Sequence, residues 1–135
     1  MKKKFKYTLK YEVVIGLTVD PDPDELNTFI IDNMQYHWQK YAEEFFNKTN
    51  VFVSAIAIFG HAIYHHEWGC PPSGEQCLTF HCTANPEFIK DLEMYEEGVL
   101  YIAKKMKKYF RQHTITITKL PATINYLTDD DNEEE

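Results

Sequence analysis

Apolar residues in this chain recur in six segments of changing period, and the order of those segments constrains the fold more than any other feature. Residues 7–19 alternate strictly, with Tyr7, Leu9, Tyr11, Val13, Ile15, Leu17 and Val19 on one side, which predicts a strand buried on one face. A helical stripe follows, in which Leu26, Phe29, Ile30, Met34, His37, Tyr41 and Phe45 are spaced by three and four. Its start is marked by Asp22 as N-cap, Pro23 at the first helical position and Glu25 at the third. These acids lack the ligand spacing and glycine of a calcium loop. Residues 51–68 read as a long second strand, apolar on both parities up to Gly60. The turn from Gly69 to Gly74 leads to a third strand over 75–84, with Leu78, Phe80, Cys82 and Ala84 on one face. Asn85 and Pro86 suit the cap and first position of a second helix, whose stripe is Phe88, Leu92, Tyr95, Val99, Ile102, Met106 and Phe110. A last strand covers 113–120, and Pro121 is expected to break it.

Strand, helix, strand, strand, helix, strand is the split βαβ arrangement. It predicts an α+β, ferredoxin-like fold in which two helices cover one face of a four-stranded antiparallel sheet. The chain divides into a basic arm over 1–6, one domain over 7–127 and an acidic, disordered tail over 128–135.

Charge and composition exclude several function classes. The formal charge is −7, but six of the 21 acids lie in residues 129–135, and the remaining 15 nearly balance the 14 lysines and arginines. A near-neutral folded part argues against a strong non-specific grip on nucleic acid. The lysines at 104, 105, 107 and 108 are read as cations complementing a helix C-terminus. No apolar run approaches the 18 or so residues of a membrane span. Three cysteines and no secretory leader point to a reducing cytoplasm. No glycine-rich phosphate loop or nucleophile elbow occurs.

Short segments spread over roughly two thirds of the chain resemble a set of small ferredoxin-like proteins of bacteria and phages whose function is unknown. They are Ile15-Gly16-Leu17, Gly60 with Tyr64-His65 and Gly69, and the run from Tyr109 to Ile115. The long first helix and the Cys70-Pro71-Pro72 turn depart from that pattern. The resemblance implies the fold and assigns no catalytic residue.

Chemistry-bearing residues concentrate between His61 and Cys82, which hold four of the six histidines and all three cysteines. With Ile56, Ile58, Ala62 and Tyr64 facing the helices, the open face of the sheet receives His61, His65, Cys77 and His81. A bulge at Gly60 would instead turn Tyr64 and His66 outward. The first arrangement makes His61, His65, Cys77 and His81 candidate zinc ligands and, with Tyr64, candidate ligand-binding residues. His61 and His65 lie about 13 Å apart along a strand, so His65 with Cys77, or His61 with His81, is the easier pairing. Cys77 or Cys70 is a possible nucleophile if a neighbouring histidine lowers its pKa. On the same face Val53, Ala55, Ala57 and Phe59 form an apolar patch that a second copy would cover, which predicts a homodimer.

Three functions follow from these features. The leading expectation is a non-enzymatic module that binds a small ligand or a protein and is dimeric through its open face. The alternatives are an enzyme or zinc protein using the His/Cys cluster, and an acidic-tailed inhibitor of nucleic-acid-handling machinery.

Overall fold

The computed structural model describes residues 4–17 and 28–129, and within them the expected order of elements is present. Strand β1 (Lys6–Gly16) is followed by helix α1 (Thr28–Thr49), β2 (Ile56–Ala62), a single 3₁₀ turn (His66–Trp68), β3 (Glu75–Thr83), α2 (Leu92–Tyr109) and β4 (Thr116–Ile124). The sheet order is β2-β3-β1-β4 with every neighbour antiparallel, the ferredoxin-like arrangement. The expected helix start at Asp22 and Pro23 lies outside the described residues, as do the acids beyond Asp129.

The core sits between the sheet and the helices. Tyr11, Val13, Ile15 and Leu17 of β1, Leu78, Phe80 and Cys82 of β3, and Tyr95, Val99, Ile102 and Met106 of α2 are buried, as their periodicity requires. In α1 Met34, His37, Tyr41 and Phe45 are buried, and so are Trp38 and Ala42 beside them, whereas Phe29 is exposed. Trp38 stacks on Phe80 at 4.4 Å between ring centroids, and its indole N–H donates to the Val53 carbonyl at 3.2 Å. That contact ties the chain after α1 to the core just before β2 begins. His37 is a packed core residue, 2.9 Å from the Asn33 carbonyl through Nδ1 and stacked on Tyr109. Gly98 of α2 lies against Phe45 of α1 and against Val53. A Cβ there would stand 2.8 Å from side-chain carbons of both Phe45 and Val53.

Four expectations need correction. The second strand is shorter than 51–68 and faces the opposite way. Val53, Ala55, Ala57 and Phe59 belong to the core or pack against it, while Ile56 and Ile58 are 68% and 52% exposed on the open face. Both parities of this segment are apolar, so spacing alone could not choose between them, and pairing runs unbroken from Ile56 to Ala62 without a bulge at Gly60. Asn85 caps a separate turn, accepting from the Glu87 N–H at 3.0 Å. Asp91 is the N-cap of α2, accepting from Met94 N–H at 3.0 Å, so Phe88 precedes the helix and is exposed. Finally, β4 runs through Pro121, because β4 is an edge strand and a missing N–H can face outward there without leaving a ladder bond unmade.

Candidate functional site

At one end of the open sheet face, the ends of β1 and β2 meet the starts of β3 and β4 around a cavity of about 520 Å³. Its lining includes Gly16, Tyr64, Trp68, Glu75, Cys77 and Gln112. The register explains the hollow. Gly60, Cys77 and Gly16 are direct neighbours across β2, β3 and β1, so two of three adjacent positions carry no side chain. Above this floor Glu75, the first residue of β3, carries its carboxylate over Gly16. A Cβ on Gly16 would come within 2.8 Å of Glu75 Oε2 and 3.3 Å of Gln112 Oε1. Glycine at position 16 is what lets the carboxylate come this close, since a Cβ would push it back.

Local chain geometry delivers the remaining groups. Tyr64 lies two residues beyond β2 and donates its hydroxyl to Glu75 Oε1 at 3.1 Å. Desolvation and the adjacent Glu75 carboxylate push the Tyr64 phenol above its ordinary pKa, so it remains a donor at neutral pH. His65 caps the following 3₁₀ turn, accepting from the Glu67 N–H through Nδ1, and Gly69 closes that turn at φ 104°. The turn presents the Trp68 indole, 75% exposed, beside the cavity. On the opposite wall the end of α2 carries a Schellman motif. The Gln112 N–H bonds to the Lys107 carbonyl at 2.9 Å and the Arg111 N–H to Lys108 at 3.3 Å, with Arg111 left-handed at φ 53°. This reversal turns Gln112, His113 and Thr114 into the lining.

The residues expected to form a His/Cys cluster are not brought together. His61 pairs with Gln76 and projects on the helix side of edge strand β2, next to Phe59. His65 packs against His66 and Trp68. His81 is on the open face but pairs with Ile56 and Glu12, with Nδ1 3.6 Å from Glu12 Oε2. Of the expected set, Cys77 and Tyr64 line the cavity. Among the described residues no group of three or more His, Cys, Asp or Glu is placed to hold a metal ion. Burial, then the Glu75 charge, pushes the Cys77 thiol above its ordinary pKa, the wrong direction for a nucleophile. The sequence reading passed over Glu75, because a single glutamate at a strand start carries no motif. The eleven-residue step from Tyr64 across the turn to Glu75 becomes meaningful only once β2 and β3 pair.

The cavity suits a particular kind of guest. Its lining holds one carboxylate and no lysine or arginine, and offers a phenol and an indole face. A cation with an aromatic portion fits that chemistry. The hollow between α1 and β2, about 370 Å³, is lined by Gln35, Trp38, Ser54 and their neighbours and holds no ionisable group.

Comparison with known proteins gives one family. The model of a family described as SAM lyase matches residues 6–128. No curated protein matches. Similar solved structures include a phage SAM lyase in complex with S-methyl-5'-thioadenosine, 13% identical, with a TM-score of 0.48 over 88% of this chain and 90% of that one. A phage SAM lyase in the apo state is also 13% identical, with a TM-score of 0.49 over 89% and 90%. A putative PII-like signaling protein from Thermus thermophilus is 8% identical, with a TM-score of 0.44 over 91% and 94%. The family match gives a family to the expected resemblance.

Proposed function

This chain belongs to the SAM lyase family, and from that premise we propose that it cleaves S-adenosylmethionine in the cavity under Tyr64 and Glu75. The expectation of a non-enzymatic module is overturned by the family match, which favours its enzymatic alternative without the His/Cys metal cluster. The observation that carries the reading is the Tyr64–Glu75 hydrogen bond at a cavity whose lining contains one carboxylate and no basic side chain except His113.

A lyase breaks a bond without water or net redox change. In S-adenosylmethionine the sulfonium is a ready leaving group, because cleavage leaves a neutral thioether. The substrate's own carboxylate oxygen can close on Cγ to form a five-membered lactone while the Cγ–S electron pair stays on sulfur as S-methyl-5'-thioadenosine. The positive and negative charges cancel, and no proton moves. Such a ring closure needs orientation more than an acid or base. The chain's own residues serve that need. Glu75 anchors the cationic arm, Tyr64 fixes the carboxylate, and the Trp68 face offers a stacking surface for the adenine.

No helix among the described residues is long and apolar enough to cross a membrane. We place the enzyme in the reducing cytoplasm, where free Cys70, Cys77 and Cys82 persist. Ile56 and Ile58 remain an exposed apolar pair on the open face, and a second copy of the chain is the cover we propose, in a homodimer. Light scattering should then give a mass of two chains, and a monomer or a larger assembly would refute that assignment. The activity is tested by incubating purified protein with S-adenosylmethionine and identifying products by mass spectrometry. S-methyl-5'-thioadenosine with homoserine lactone is expected. Unchanged substrate would refute the activity, and a vinyl amino acid would replace ring closure with elimination.

A further inference from the structure

Two side-chain oxygens converge on one point of the cavity floor. Glu75 Oε2 lies 2.8 Å and Gln112 Oε1 3.3 Å from the position a Cβ on Gly16 would take. The Gln112 amide donates through Nε2 to the Phe110 carbonyl at 3.3 Å, which leaves the oxygen as the end turned toward Gly16. The backbone that carries Gln112 is held in turn by the Schellman bonds to Lys107 and Lys108. A carboxylate oxygen and an amide oxygen that both lie over Gly16 offer two acceptors on the cavity floor. Their complement is a cation with several N–H donors.

S-adenosylmethionine carries two cations, the sulfonium and the α-ammonium, and only the ammonium can donate hydrogen bonds. A carboxylate set against the sulfonium would also stabilise a charge that the reaction destroys, which deepens the ground state more than the transition state. Set against the ammonium, whose charge persists, it binds without that penalty. Resting on the function assigned above, we propose that Gln112 is a specificity-determining residue that, with Glu75 Oε2, holds the α-ammonium of the substrate's amino-acid arm at Gly16. The nucleoside then extends toward Trp68.

Two stable ligands separate this role from a structural one. S-adenosylhomocysteine keeps the ammonium and has a neutral sulfur, whereas S-methyl-5'-thioadenosine lacks the amino-acid arm. By calorimetry, Gln112→Leu should weaken S-adenosylhomocysteine about tenfold or more, the loss expected for a hydrogen bond to a charged group. It should leave S-methyl-5'-thioadenosine within twofold. Gln112→Glu, nearly the same in size, should retain or tighten S-adenosylhomocysteine. Equal weakening of both ligands in both variants, or of neither, would overturn the assignment while leaving the cleavage reaction standing. If the wild-type protein binds neither ligand and leaves S-adenosylmethionine intact, the function itself fails and this assignment with it.

Discussion

Replacing Gly16 by alanine separates the position of the Glu75 carboxylate from the stability of the fold. The added Cβ would stand 2.8 Å from Glu75 Oε2, so the oxygen must retreat by about 0.6 Å to reach ordinary contact near 3.4 Å. It would also crowd Gln112 Oε1 at 3.3 Å. Gly16 is not among the residues with positive φ, so alanine brings no backbone strain. Loss of unfolded-state freedom even favours alanine, and the two effects should leave stability within about 1 kcal/mol of wild type. Catalysis should respond differently. A misplacement on the order of 1 Å can cost about 10²-fold in rate, so a shift of about half that size predicts a fall of roughly tenfold or more in kcat/KM. Release of S-methyl-5'-thioadenosine is followed by chromatography, and stability by urea denaturation. Full activity in Gly16→Ala would refute the role assigned to the carboxylate's position, as would an activity loss that merely tracks unfolding.

Other sites test the packing and chemistry around that floor. Gly98→Ala should destabilise the protein by about 1–2 kcal/mol in urea, because crowding against Phe45 and Val53 outweighs a helix-propensity gain of about 1 kcal/mol. Arg111→Gly should raise stability by about 0.5–1 kcal/mol, since glycine occupies the left-handed position of the Schellman turn without a Cβ penalty. With the Cys77 thiol pushed above its ordinary pKa by burial and Glu75, the thiolate is scarce at neutral pH. Alkylation followed by mass spectrometry should therefore find Cys77 slow at pH 7, and Cys77→Ser should keep activity within a fewfold, which a cysteine nucleophile would not survive.

The architecture was legible because strands β1 and β3 and helix α2 have one apolar parity or stripe each, and the spacing fails only at their ends, where Tyr7 and Phe88 are exposed. Strand β2 was not, because Ile56 and Ile58 on one side and Ala57 and Phe59 on the other satisfy either facing. That single ambiguity placed His61 on the wrong face and assembled a metal cluster that pairing takes apart. Density of histidine and cysteine was a poor guide, since His65 caps a turn and Cys77 is a buried floor residue. The groups that make the site come from the end of β1, the connection from β2 into β3 and the turn from α2 into β4, and Glu75 gains meaning from what stands over Gly16 and beside Tyr64. Tyr64, Gly16 and the run through Gln112 did lie within the segments whose resemblance suggested the family's fold.

The most direct measurement compares wild type with Glu75→Gln in S-adenosylmethionine cleavage, with circular dichroism of both proteins. The amide keeps the size of the side chain and an acceptor for Tyr64, but it removes the charge. The account predicts cleavage by wild type and a loss on the order of 10²-fold or more in Glu75→Gln at unchanged fold, the scale of removing one charged anchor. Undiminished cleavage by Glu75→Gln would contradict it and move the reaction away from this cavity.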